Sequence, residues 1–317
     1  TGATNTAVGR NTLASNTTGG TNTAVGYGSL LQNIGASNNT AVGYNALENN
    51  TTGTNNNALG ANSLDANTTG SHNVAVGRNA LGANTTAGEN TAMGNDAMLD
   101  NTTGANNTAV GSSALANNTT ASSNVAVGRH ALLSNTTGAY NTAVGAAALD
   151  AATTGGDNTA LGYGTLSGVT TATGNTAVGT YSNDAACTGI SNTSIGYYSL
   201  SANTSGAYGT AVGLNALRAN TTGTGNIAVG TGALDANTTG SYNAGFGYNA
   251  LGANTTADNN VAVGRNALGA NTTGTSNVGV GYAALTANTT ASNNTCIGAA
   301  TGDSTVTTGG GNVIVGY

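Results

Sequence analysis

Small groups of apolar residues alternate with polar Asn, Thr and Gly along this chain, and the alternation keeps a period of 17 residues. Gly9, Gly26, Gly43 and Gly60 open a series that runs in register to Gly298, and only the last step, to Gly316, is one residue long of it. Connecting loops tolerate insertions and drift, so a spacing held this strictly means that each unit occupies an equivalent place in a stack. Counted from Asn5, the unit reads Asn-Thr-Ala-Val-Gly-(Tyr/Arg)-Asn-Ala-Leu-x-Ala-Asn-Thr-Thr-Gly-x-x, best seen at 260–276. Its positions are numbered one to seventeen below. The pattern predicts an all-β chain, a parallel β-solenoid or β-roll of about eighteen 17-residue coils.

Position four is always a large apolar residue, from Val8, Leu59 and Met93 to Phe246 and Ile297. Position two alternates between Thr and Val or Ile, as at Thr6, Val74 and Ile227. The two share a strand face, and their size predicts an inward ladder. Position three lies on the opposite face yet is almost always Ala, represented by Ala7, Ala24, Ala41, Ala75, Ala109, Ala143, Ala211 and Ala262. A solvated strand position would accept Lys, Glu or Gln somewhere, and none occurs. Close approach of another wall, a neighbouring coil segment or a second copy of the chain, is the expected cause. These alanines are therefore an expected interchain small-residue ladder.

Position nine is Leu in fifteen of eighteen complete units, with Met98, Asn183 and Gly302 departing. The run around it is too short to nucleate a helix and predicts a second strand or an irregular corner. Asn at position twelve, followed by Thr-Thr-Gly, predicts a turn whose stacked amides bond one another. At one coil per unit the array would be a rod on the order of 85 Å long. Residues 1–298 form the continuous array, and 299–317 a degenerate final coil or transition. The opening Thr1-Gly2 and the end at Tyr317 look like cuts in a longer array.

Composition narrows the functional classes. With one Phe, no Trp and 5% charged residues, the chain cannot fill a wide globular core, and any core must be thin and laddered. All five cations are Arg and the net charge is −6, which gives no basic footprint for nucleic acid. No apolar run approaches spanning length, so no membrane insertion is expected. Cys187 and Cys296 fall seven repeats apart, about 30 Å at strand spacing, beyond disulfide reach. Free thiols in place of Thr and Ala are expected.

The segments Asn5-Thr-Ala-Val-Gly9, Asn39-Thr-Ala-Val-Gly43 and Asn141-Thr-Ala-Val-Gly145 resemble the Ser-Val-Ala-Ile-Gly motif of YadA-type trimeric autotransporter adhesin heads. The longer string from Asn39 to Gly53 is similar to repeat arrays of phage tail-fibre proteins. The resemblance covers nearly the whole chain, though the 17-residue period is longer than that of the adhesin head. It implies a homotrimeric extracellular fibre, on a virion tail or a cell surface, whose partners are itself and a cell-surface glycan or receptor.

Candidate chemistry is sparse. His72 and His130 sit at different repeat positions more than three coils apart, so no Ser-His-Asp or Cys-His set can assemble and no enzyme is expected. The dinucleotide-like Gly279-Val-Gly-Tyr-Ala-Ala284 is an ordinary repeat with no helix after it. Asp65–Gly70 and Asp235–Gly240 match half a calcium loop but lack the closing Glu, with Val76 and Phe246 in its place, and a solvated corner accounts for them. No cofactor and no metal are expected. Position six carries Tyr27, Tyr44, Tyr163, Tyr197, Tyr248, Tyr282 and Tyr317, with Arg10, Arg78, Arg129 and Arg265 at equivalent places. Such a stripe suits glycan stacking or partner contact, or covers the corner after the Gly. The stretch 152–190 is the weakest of the array, with Ala152, Val169 and Ala186 at position twelve and Asn183 at position nine.

The expected function is a structural or adhesive fibre shaft projecting a receptor-binding surface. A self-assembling extracellular filament is the alternative. An ice-binding solenoid is a third, disfavoured because adjacent Thr at positions thirteen and fourteen point to opposite faces.

Overall fold

A computed structural model describes residues 2–303 and 309–316, so Tyr317 and part of the final coil lie outside the described residues. It divides into two compact units, Thr1–Asn158 and Thr159–Tyr317. The first holds nine strands of three residues, from β1 (Thr6–Val8) to β9 (Thr142–Val144). The second holds ten, from β10 (Thr159–Leu161) to β19 (Val313–Val315). Every strand covers positions two to four of its repeat, and there is no helix among the described residues.

Within each unit the strands pair in parallel and in register with the next repeat, Ala7 on Ala24 and Val8 on Val25 at one end, Ala160 on Ala177 in the second unit. The 18-residue step is absorbed before β19, where Ile314 still pairs with Cys296. Each unit is thus a parallel β-solenoid with one coil per repeat.

The strand faces are the reverse of the expectation. Ala24, Ala41, Ala75, Ala109, Ala143, Ala211 and Ala262 are all fully buried inside their own unit, whereas Val8 is 58% exposed and Leu59 52%. The wall that keeps position three small is the chain's own leucine column. A Cβ placed on Gly245 would meet Leu234 Cδ1 at 3.6 Å, and one on Gly279 would meet Leu268 Cγ at 3.3 Å. With Leu filling the hollow there is room across from it for a small side chain only, Ala in most repeats and Ser194 or Cys296 in two others. Ala7, in the first coil of this sequence, is exposed. The alanines are therefore an intrachain core ladder, and their smallness says nothing about a second copy.

Positions six to eleven form linked turns, not a second strand. Left-handed backbone recurs at position seven (Asn45, φ 52°) and at position nine (Leu47, φ 52°). Such a φ is unfavourable for Leu, and it persists because coil-to-coil bonds fix it. Leu47 N–H donates to Ser63 O at 3.0 Å and Leu64 N–H to Ala80 O at 3.0 Å. The leucines themselves are fully buried.

Asparagine supplies the rest of the interior. Asn39 and Asn50, at positions one and twelve of one coil, both donate Nδ2 protons to Gly53 O at 2.9 Å, which clips the coil shut. Asn67 Nδ2 donates to Asn50 Oδ1 at 2.9 Å, and the Asn56 backbone N–H donates to Asn39 Oδ1 at 2.9 Å. A buried amide costs little when every donor and acceptor has a partner, and here the stack supplies them. At position thirteen Thr68 bonds the next coil twice, N–H to Thr85 O at 2.8 Å and Oγ1 to the same oxygen at 3.0 Å.

Candidate interaction surfaces

Three features of the surface stand apart from the repeating scaffold. The first is the outward face of the strands. Positions two and four, expected inside, form two columns that are half-buried or exposed along both units, position two mostly Thr or Val with Asn57, Ile227 and Ala244, and position four Val, Leu, Ile, Met or Phe. Met93 is 43% exposed, Leu161 47% and Ile297 43%. Position four holds an apolar residue in every repeat, and neither column contains a charge. Monomeric proteins rarely expose contiguous apolar strips of this extent.

The second feature is the position-six column, which the structure divides into groups. Arg10 lies 5.9 Å over the Tyr27 ring, and Tyr27 stacks on Tyr44 at 5.4 Å and 10°. Arg265 lies 5.7 Å from the Tyr248 ring and 6.0 Å from the Tyr282 ring, one coil on either side. Arg78 instead bonds Asn95 Oδ1 at 3.1 Å and faces Asp96 at 3.6 Å, while Arg129 is exposed. Tyr163 and Tyr197 meet tyrosines that the position-six pattern does not include. Tyr163 packs edge-on against Tyr181 at 5.4 Å, Tyr181 stacks on Tyr198 at 5.4 Å and 13°, and Tyr198 packs edge-on against Tyr197 at 4.4 Å. Tyr181 and Tyr198 occupy position seven of consecutive repeats, the signal in the sequence that marks this cluster. Asp184 lies close enough for its charge to add to the rise in both their pKa values; the leading cause is the bond each makes to a neighbouring phenol, Tyr163 and Tyr197 respectively.

The third is the coil beneath that cluster. Asn183 takes the leucine place, is 1% exposed, and neither atom of its amide has a partner. Next to it Ser182 Oγ donates to Ser194 Oγ at 2.7 Å and lies 2.9 Å from Ser199 Oγ, so three hydroxyls share this stretch of core. Ala186, at the asparagine position, is exposed, and Cys187 enters the vacated column. The repeat pattern puts Cys187 in place of a turn Thr; its sulfur instead accepts the Asn203 Nδ2 proton at 3.0 Å, where the preceding Asn would have done so. Cys187 and Cys296 are both free and buried, and burial raises the pKa of each thiol. In the first unit Asn135 faces Ala152, and its Oδ1 is left without a partner.

His72 lies 3.3 Å from Asn55 at an exposed edge, and His130 is on a different part of the coil. At position ten Glu48 and Asp65 are successive acids. Burial chiefly raises the Asp65 pKa, and the charge of Glu48 adds to it. Arg218 and Asp235 at the same position form an ion pair of 2.9 Å. Among the described residues no group of three His, Cys, Asp or Glu side chains is placed to hold a metal ion, and no helix is long and apolar enough to cross a membrane. Comparison with protein-family models and with curated proteins finds no match to this sequence.

Proposed function

We propose that the chain is the repeat region of an extracellular structural or adhesive fibre, of the kind found in phage tail fibres and bacterial surface adhesins, and that it works as a homo-oligomer. The observation that carries this reading is the outward aliphatic face. Position four is apolar in every repeat although the side chain points away from the core, half-buried in many coils and reaching 47% exposed at Leu161 and 52% at Leu59. Selection for solubility alone would have placed polar residues there. A second copy that covers the columns accounts for their composition.

The resemblance of the Asn-Thr-Ala-Val-Gly segments to trimeric adhesin heads favours three copies. The hydrogen-bonded coils suit spacing and presentation.

The test is mass in solution. Sedimentation equilibrium of the full chain is expected to give three times the mass of one 30.2 kDa chain. Val110→Asp and Val229→Asp are expected to reduce it to one without loss of the β spectrum, because both side chains lie outside the core. A monodisperse monomer before substitution would overturn the proposal, and an open-ended series of masses would replace the closed bundle by a filament.

A further inference from the structure

In the regular coils, position nine packs against position three of the following coil. A Cβ placed on Gly245 would lie 3.6 Å from Leu234 Cδ1, and one on Gly279 would lie 3.3 Å from Leu268 Cγ, each pair eleven residues apart. The same offset sets Asn183 against Ser194. Both depart from the repeat, Asn in the leucine column and Ser in the alanine column, and they fall together in one stretch of core. Neither reaches solvent, with Asn183 1% exposed and Ser194 fully buried.

The backbone does not close in on the smaller side chain. Asn183 keeps the left-handed φ of the leucines, 49° against 52° at Leu47, and its N–H donates to Ser199 O at 2.9 Å as theirs do to the equivalent carbonyls. Ala177 and Ser194 stay paired in register across β11 (Thr176–Val178) and β12 (Thr193–Ile195). Cys187 does not fill in either, because its sulfur is held in the asparagine column, 3.1 Å from the Gly189 N–H nitrogen and 3.0 Å from Asn203 Nδ2. The difference in size between a leucine and an asparagine side chain is on the order of one water's share of liquid volume, about 30 Å³.

The groups around this place are polar. Asn183 Oδ1 and Nδ2 are both buried and have no partner in the chain. Other position-eight hydroxyls turn to the corner glycine, as Ser63 does to Gly60 O at 2.9 Å and Ser199 to Gly196 O at 3.0 Å. Ser182 turns instead to Ser194, at 2.7 Å from its Oγ and 3.1 Å from its O. Ser194 Oγ accepts in that bond, which leaves its own proton to give. None of these groups carries a charge, so the set suits a small neutral ligand that both donates and accepts.

We infer that the core at Asn183 is an internal hydration site, with one water held by the Asn183 amide and the Ser194 hydroxyl where other coils carry a leucine. A buried water needs about two to four polar partners, and Asn183 Oδ1, Asn183 Nδ2 and Ser194 Oγ supply that number, whereas an apolar space of the same size would stay dry. The water gives the amide bonds that the chain does not. It is immobilised in doing so, and a leucine that removes amide and water together remains the more stable occupant. The site lies inside one coil and rests on neither the outward face nor the number of copies.

The experiment looks for that water in the full chain by crystallography and by NMR. A high-resolution crystal structure is expected to show one ordered water within hydrogen-bond reach of both Asn183 and Ser194. In solution, with isotope-labelled asparagine, the Asn183 side-chain amide protons are expected to give a cross-peak to a water of long residence. Asn67, whose amide is bonded to Asn50 and Gly70, is the internal control and is expected to give none. Asn183→Leu is expected to abolish the ordered water while the β spectrum is unchanged. A dry core at Asn183, an amide turned onto protein groups, an equal cross-peak at Asn67, or a water that persists in Asn183→Leu would each overturn the assignment.

Discussion

Asparagine does in this chain what leucine and valine do in most cores. Asn67 is fully buried, and its amide donates to Asn50 Oδ1 at 2.9 Å and to Gly70 O at 3.0 Å, while its Oδ1 accepts from Asn84 at 3.0 Å. Asn183 has the same burial and none of those bonds, because it stands in the leucine column instead of the asparagine column. An unpaired buried amide costs about 1–3 kcal/mol, and the lost leucine leaves space that a smaller side chain does not fill. Asn183→Leu is therefore expected to stabilise the chain by about 1–3 kcal/mol, whereas Asn67→Leu is expected to destabilise it by a similar amount by orphaning Asn50 Oδ1 and removing the acceptor of Asn84 Nδ2, while Gly70 O keeps its bond from Asn56. Urea unfolding of the two variants checks both signs. Sequence alone locates the weakness, since Asn183 breaks a column of leucines. It does not reveal that Cys187 slides into the place of Ala186, because a one-residue shift inside a single coil leaves the period untouched.

At the scale of one coil, the period, the parallel strands and the Asn turns are legible in the sequence, and the strand faces are not. A strand of three residues offers two side chains to one side and one to the other, and the pair Thr6 and Val8 is the bulkier. Bulk normally points inward. Here the coil is so narrow that Leu47 and its equivalents take the hollow, and only small residues, mostly Ala, fit opposite. Nothing in one copy of the repeat says that the interior is this thin. The invariant Gly at position five is legible as a period marker, and the structure adds the reason. Gly213 has φ 136°, and a Cβ there would lie 2.6 Å from Gly230 O of the next coil. Gly213→Ala thus meets both a disallowed backbone and a carbonyl wall, and a loss of about 2–4 kcal/mol or more is expected. Gly252→Ala is the control: the atoms nearest a Cβ at that position all belong to the Asn249 side chain and not to a backbone wall, and its φ is not left-handed. Thermal unfolding of the pair should separate by several degrees; equal midpoints would mean that the corner at position five is not close-packed.

The charges of the whole chain turn the same physics into a pH dependence. Asp65 and Asp150 in the first unit and Asp184 in the second have pKa values raised above the ordinary 3.8, in each case chiefly because burial disfavours the carboxylate. In the unfolded chain these carboxyls return to about 3.8. Between the raised folded values and 3.8 the folded chain holds more protons than the unfolded one, so stability falls as pH rises through that window and is regained on acidification. Most proteins lose stability over the same range, because their carboxylates are held ionised by partners. The net charge of −6 works in the same direction, since protonation relieves self-repulsion. The thermal midpoint is accordingly expected to be higher near pH 4 than at about pH 7 at constant ionic strength. The triple variant Asp65→Asn, Asp150→Asn, Asp184→Asn should begin higher at neutral pH and gain less on acidification. A midpoint that falls steadily from neutral pH to about pH 4 in the unaltered chain would mean that these carboxylates find partners in the folded state, and that the corners of the coil are not the desolvated places their burial makes them.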